Sequence, residues 1–144
     1  LVIALGGGAF IDNSIRKEVV ESKTLLLINK GENQFETKDL PSQVQWNSVN
    51  AGVVSDFNQD GLQDVLLSGG EDNLKPQFAK LDAGFGELLL GDGKGNFEWI
   101  PYIKSGLKVR GTVRESTILR LGTEGKKMIV FGVNDNRPVF YVYK

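Results

Sequence analysis

Between Asp56 and Asp64 the chain reads Asp-Phe-Asn-Gln-Asp-Gly-Leu-Gln-Asp. Side-chain oxygens recur at relative positions 1, 3, 5 and 9, from Asp56, Asn58, Asp60 and Asp64. Alternate residues turn inward when a backbone wraps an ion, and Gly61 permits the sharp reversal that follows. The Leu62 carbonyl can then donate as well. Hard oxygens in this number suit Ca2+, which takes about six to eight of them at roughly 2.3–2.6 Å. Mg2+ suits the loop less, because it keeps its waters and demands a stricter geometry. Three carboxylates so close together repel one another without a cation, which argues against the competing reading, an Asx-rich turn without metal. The loop is not an EF-hand, which needs Glu at position 12 and flanking helices. Position 12 is Leu67, inside an apolar run. An ion here would staple the hairpin between a strand ending at Ser55 and one starting at Asp64. Phe57 and Leu62 are expected to face the core beside it.

The elements that must hold this loop are short strands. Runs rich in Leu, Ile and Val, bounded by Gly and Asn/Asp turns, predict strands at 1–6, 24–29, 34–38, 49–55, 64–68, 86–90, 96–102, 113–121, 127–132 and 138–143. The segments Asn29 to Phe35 and Gly91 to Phe97 read as hairpin turns whose Gly residues supply positive φ. Residues 14–23 fit either a brief helix or an excursion loop. The chain also repeats itself. Val2-Ile3-Ala4-Leu5-Gly6-Gly7 is echoed by Val65-Leu66-Leu67-Ser68-Gly69-Gly70 at an offset of 63. Leu27 to Phe35 is echoed by Leu89 to Phe97 at an offset of 62, and a fainter copy starts at Met128. The region Leu119 to Lys127, aligned with the metal loop, lacks the acidic ladder, so no ion is expected there. Lys126 or Lys127 would offset the missing charge.

Composition narrows the chemistry. Of 144 residues none is Cys or His, so disulfides, thiolate or imidazole zinc sites and Ser-His-Asp or Cys-His catalysis are excluded. A hydrophobic share of 40% supports a packed core. With 17 basic against 18 acidic side chains, nothing suggests a nucleic-acid partner. No membrane-inserting segment is visible in the sequence. The chain opens on an apolar strand at Leu1, as a piece of a longer protein would.

Asp56 to Asp64 closely resembles the integrin-alpha-like FG-GAP repeat, also called the VCBS repeat. Leu25 to Gly31 and Leu89 to Phe97 resemble its second signature, an apolar strand running into an Asn/Asp-x-Gly-x-Gly-x-Phe turn. Gly91 departs from the usual Asn that Asn29 keeps, and Asn33 from the Gly that Gly95 keeps. The likeness is strongest over 49–98 and weak after 120. It implies an all-β chain of β-propeller blades, four-stranded antiparallel repeats amounting to about two and a half blades of an incomplete propeller. Residues 1–48 would form a partial blade, 49–108 a full blade carrying the calcium loop, and 109–144 a partial blade. It further implies the C-terminal blades of a bacterial secreted or surface protein, in an extracellular, periplasmic or cell-surface setting. The metal ligands implied are Asp56, Asn58, Asp60, Leu62 through its carbonyl, and Asp64.

The function expected on this basis is a calcium-stabilised, non-enzymatic module for protein or glycan binding and adhesion. Its partners would be a protein or carbohydrate ligand and the remaining blades or another copy of the chain. The alternatives are a segment of a carbohydrate-active enzyme and a bare scaffold that self-associates through edge strands. The enzyme reading needs two carboxylates about 5–9 Å apart across a cleft. Asp12, Glu18, Glu21, Asp72, Asp82, Glu87 and Glu98 are available, and nothing in the sequence selects a pair. The loops at 8–23 and 71–85, which share Asp-Asn at 12–13 and 72–73, are the expected places for partner contacts. Trp46, Trp99, Tyr102, Tyr141 and Tyr143 offer a stacking platform for sugars, although packing between blades is the commoner use of such rings. Arg110, Arg114 and Arg120 suit an anion or solvent. Lys126-Lys127 reads as a solvated turn. Gly6-Gly7-Gly8 lacks the Gly-Lys-Ser/Thr that a phosphate loop requires.

Overall fold

The structure, a computed structural model, describes residues 18–71, 84–122 and 125–143. Nine strands run through them: β1 (Leu25–Gly31), β2 (Gln34–Asp39), β3 (Val49–Ser55), β4 (Asp64–Gly69), β5 (Glu87–Gly91), β6 (Phe97–Ile100), β7 (Val113–Leu121), β8 (Lys126–Val133) and β9 (Val139–Tyr143). These lie within a residue or two of the expected strands. β6 stops two residues short of its expected end, at Ile100. Pro101 follows it, and its carbonyl accepts the N–H groups of Lys104 and Ser105, opening a single helical turn, α1 (Tyr102–Ser105). Residues 18–23 contain no helix. The expected strand at 1–6, the Gly6–Gly8 run, the Asp-Asn pairs at 12–13 and 72–73, and most of both long loops lie outside the described residues.

The strands form three antiparallel sheets, with orders β1-β2, β3-β4-β5-β6 and β7-β8-β9. All-β content is as expected. The propeller is not. The sheets are separate, small and open, and none closes or curls into a ring of blades. The error has a local cause, because hairpins and propeller blades share turn chemistry. Asn29 Oδ1 accepts the Gly31 N–H at 2.8 Å, and Asp92 Oδ1 accepts the Lys94 N–H at 2.7 Å. Both are Asx turns closing a two-strand hairpin. The repeat in the sequence therefore encodes repeated hairpins, and it does not encode the ring.

The core lies between the four-stranded and three-stranded sheets. Val53, Leu66, Leu107, Val109, Val113, Ile129, Phe131 and Val133 form one buried cluster. Full burial of each such side chain contributes about 1.5–3 kcal/mol. Polar bonds fasten the two sheets together. Asn50 Nδ2 donates to the carbonyls of Gly70 at 2.7 Å and Val113 at 3.1 Å. Buried Ser55 Oγ accepts from Lys127 Nζ at 3.2 Å and from the Tyr143 hydroxyl at 3.0 Å. The β1-β2 hairpin is tied on by Gln45, whose side-chain amide exchanges two bonds with the Thr24 backbone. Among the described residues no helix is long and apolar enough to cross a membrane.

Candidate functional site

The loop between β3 and β4 wraps as its sequence demands, with positive φ at Gln59 and Gly61. Its acidic side chains, however, are engaged by the loop's own N–H groups. Asp56 accepts from Asp60 N at 3.2 Å and Gly61 N at 2.9 Å. Asp60 accepts from Leu62 N at 2.8 Å and from Asn58 Nδ2 at 2.8 Å. Asn58 Oδ1 shares the Asp60 N–H with Asp56, at 3.1 Å. Asp64 closes the loop at the start of β4. It is fully buried, and its two oxygens accept Phe57 N at 2.8 Å and Gly91 N at 3.0 Å. Asp64 thus ties the loop to β5. Oriented N–H dipoles offset the carboxylate repulsion that argued for an ion.

Among the described residues no three acidic side chains are grouped to hold a metal. Of the five expected donors, Asp56, Asn58 and Asp60 are joined to one another through the Asp60 N–H and the Asn58 amide, and Asp64 bonds Phe57 N and Gly91 N. Phe57 packs inward against Tyr143, with ring centroids 4.9 Å apart, as expected. Leu62 is exposed rather than core-facing. Beyond the loop, Asn58 and Asp60 face Asp92, Asn96 and Glu98 across an open recess of about 410 Å³. Hydrogen bonds from the Asn96 side chain and backbone, then from Lys94 N, hold the exposed Asp92 carboxyl down at a pKa of about 2.

A second recess, of about 150 Å³, is lined by Trp46, Phe85, Gly86, Glu87, Trp99 and Tyr102. Three stretches of chain build it. Trp46 ends the 3-10 turn Ser42–Trp46, which follows Pro41. Phe85 is held at the entry to β5 because its carbonyl accepts Val109 N at 3.0 Å, and Val109 is itself buried in the core. Trp99 lies on β6, paired with Leu89 of β5. Tyr102 begins α1. The Trp46 and Trp99 rings meet at 62° with centroids 6.4 Å apart, and Phe85 and Tyr102 at 53° and 5.0 Å. Glu87 sits among them and accepts the Trp99 indole N–H at 2.5 Å. Burial raises the Glu87 pKa above its ordinary value, and the Trp99 bond opposes that rise. Glu87 has no ion-pair partner among the described residues. The Arg110 guanidinium stands 5.4 Å from the Phe85 centroid.

The aromatic residues singled out in the sequence therefore divide. Trp46, Trp99 and Tyr102 share the recess, whereas Tyr141 and Tyr143 pack against the core and Tyr141 accepts the Lys108 N–H. Lys127 is not a solvated turn residue, since it bonds Ser55 and lies 5.7 Å from the Tyr143 ring centroid. Of the candidate acids, Glu18, Glu21 and Glu98 are exposed and Asp12, Asp72 and Asp82 lie outside the described residues. Sequence reading missed Phe85 and gave Glu87 no special place. The available signal was strand alternation: Glu87 opens β5 two residues before Leu89, the partner of Trp99, so Glu87 and Trp99 share one face of the sheet.

The chain matches no family model, no curated protein and no solved structure. With the open sheets, this overturns the FG-GAP/VCBS assignment and the calcium-binding adhesive propeller drawn from it. The enzyme-segment and self-association readings gain no support either.

Proposed function

We propose that this chain is a non-catalytic β module that binds a small ligand or an exposed chemical group in the aromatic recess. One observation carries the reading: rings from three separate stretches converge on a single half-buried carboxylate. Trp46 and Tyr102 keep large exposed areas, at 61% and 44%, although apolar surface of that size ordinarily packs away. Ligand sites are concave, mostly apolar, and carry few polar groups to fix orientation. The recess has that character and is small, which suits a headgroup rather than a large molecule. It holds one carboxylate, whereas glycoside hydrolysis requires two. Titration of the whole chain with a fragment panel, followed through the Trp46 and Trp99 indole N–H resonances, tests the reading. Binders are expected to shift both indoles, and Trp46→Ala is expected to move the Trp99 titration to higher ligand concentration. Binding that leaves both indoles unmoved refutes it.

A second reading concerns the β3–β4 loop. Asp56 Oδ1 and Asn58 Oδ1 already converge on one N–H, and Asp60 Oδ2 lies beside the Asn58 amide. We propose that these three side chains and the Leu62 carbonyl take one Ca2+, without Asp64. Two carboxylates give a weak site, in the range of about 10⁻⁴–10⁻³ M typical of extracellular modules. An extracellular, periplasmic or cell-surface setting supplies calcium at that level. At a hundredfold excess over Kd, calcium should stabilise the fold by about 2.7 kcal/mol. Equal melting temperatures in calcium and in chelator sink this reading, and Asp60→Ala should remove any gain.

A further inference from the structure

We infer that the aromatic recess takes an alkylammonium cation, with a quaternary or fully methylated nitrogen as the best fit. The inference rests on the binding reading above and names its ligand class. Three features of the recess point to it.

The first is ring geometry. The two ring pairs are inclined at 62° and 53° rather than laid flat in one plane. Inclined rings present π faces from several directions, and each face carries negative quadrupolar charge that attracts a cation. A pyranose sugar stacks best on one flat exposed ring ringed by donors and acceptors, and such groups are few here. The Trp99 indole N–H is already spent on Glu87.

The second is charge. Glu87 is a half-buried carboxylate without an ion-pair partner among the described residues. A buried charge is costly unless paired, so an arriving cation is strongly favoured over a neutral group of the same shape. Arg110 shows that these rings attract cations, since its guanidinium already stands over Phe85. That ring is thereby taken, and Trp46, Trp99 and Tyr102 are the other rings that line the recess.

The third is desolvation. A primary ammonium has three N–H donors and holds its water tightly, whereas the recess offers one carboxylate to satisfy them. A methylated nitrogen has few or none. It leaves water at lower cost and fills about 150 Å³ with methyl groups against the rings.

The test titrates the whole chain with choline, with its neutral isostere 3,3-dimethylbutan-1-ol, and with methyl glucoside, read by the Trp46 and Trp99 indole resonances. Choline is expected to bind with a Kd on the order of 1 mM or below, and the isostere at least about tenfold more weakly. Glu87→Gln keeps the side-chain shape and removes the charge, and should weaken choline about tenfold while leaving the isostere unchanged. Trp46→Ala and Tyr102→Leu alter exposed side chains, so folding survives, and each should weaken choline about threefold to thirtyfold. If the isostere binds as tightly as choline, or the glucoside binds in preference, the cation inference falls and the binding reading stands. If no probe of any class moves either indole, both fall.

Discussion

Asp64 separates the two roles available to the loop more sharply than any other position. It is completely buried, and each of its oxygens accepts one backbone N–H, from Phe57 at 2.8 Å and from Gly91 at 3.0 Å. Asp64→Ala removes both acceptors and leaves the Gly91 donor buried without a partner. A hydrogen bond to a charged group is worth about 1.5–3 kcal/mol, and two that share one carboxylate are less than additive. The expected loss is therefore about 3–5 kcal/mol, a large part of the roughly 5–15 kcal/mol that holds a domain together. Asp64→Asn keeps one oxygen but turns an NH2 toward the other donor, so a loss of about 2–3 kcal/mol is expected. Asp60→Ala, in an exposed part of the loop, should cost about 1 kcal/mol or less in chelator. The assay is urea unfolding followed by Trp fluorescence, run in chelator and again in calcium. The Asp64 losses should be equal in both media, because its oxygens are committed to the backbone. If Asp64→Ala matches wild type in chelator and loses stability only in calcium, Asp64 is an ion ligand and the anchoring argument is refuted.

Three further outcomes follow from the same packing. Gly91→Ala places a Cβ 2.2 Å from the Gln63 carbonyl oxygen and 3.2 Å from the Phe97 ring, so it should destabilise by more than about 3 kcal/mol in the same urea assay. Ser116→Ala should be neutral or stabilising by up to about 1 kcal/mol, because the buried Ser116 hydroxyl has no hydrogen-bond partner among the described residues; a loss above 1 kcal/mol would reveal one. For Glu87, burial raises the folded-state pKa above the ordinary 4.5, so folding favours the neutral form. That contribution is complete below the unfolded value and is lost as pH rises through the folded value. The stability of wild type relative to Glu87→Gln should therefore fall as pH rises from the ordinary value of 4.5 upward, and a difference that stays flat would contradict the assigned cause.

The strands were legible because their signal is local. Val65-Leu66-Leu67 and Met128-Ile129-Val130-Phe131 are apolar runs between turn residues, and β-propensity with Gly punctuation suffices to place β4 and β8. The hairpin turns were legible for the same reason, since Asn29 and Asp92 bond N–H groups only two residues on. What sequence spacing does not carry is the long-range choice each side chain makes. Asp64 belongs to the ladder Asp56, Asn58, Asp60, Asp64 by spacing, yet its partner Gly91 lies 27 residues away on β5. That bond forms only because the β4–β5 register brings Val65 opposite Leu89. The same limit explains the overturned propeller, because nearest-neighbour hairpins read alike whether or not their sheets close.

The aromatic recess marks the boundary from the other side. Trp46, Trp99 and Tyr102 were visible as rings, but their meeting depends on two backbone turns. Pro41 opens the 3-10 turn that carries Trp46, and Pro101 ends β6 and starts the turn that carries Tyr102. Phe85 joins only because Val109, 24 residues later, buries itself and draws the Phe85 carbonyl with it. Tyr141 and Tyr143 share the same chemistry and fall on the opposite side of that choice, because β9 pairs with β8 and turns them onto the core. Burial therefore sorts the five rings where their identity cannot. Of the three left at the recess, Trp46 and Tyr102 sit on turns that follow prolines and are exposed, whereas Trp99 is held part-buried in β6. A recess fixed by two prolines and one core valine is preorganised, and a preorganised site spends little of its binding energy on ordering itself.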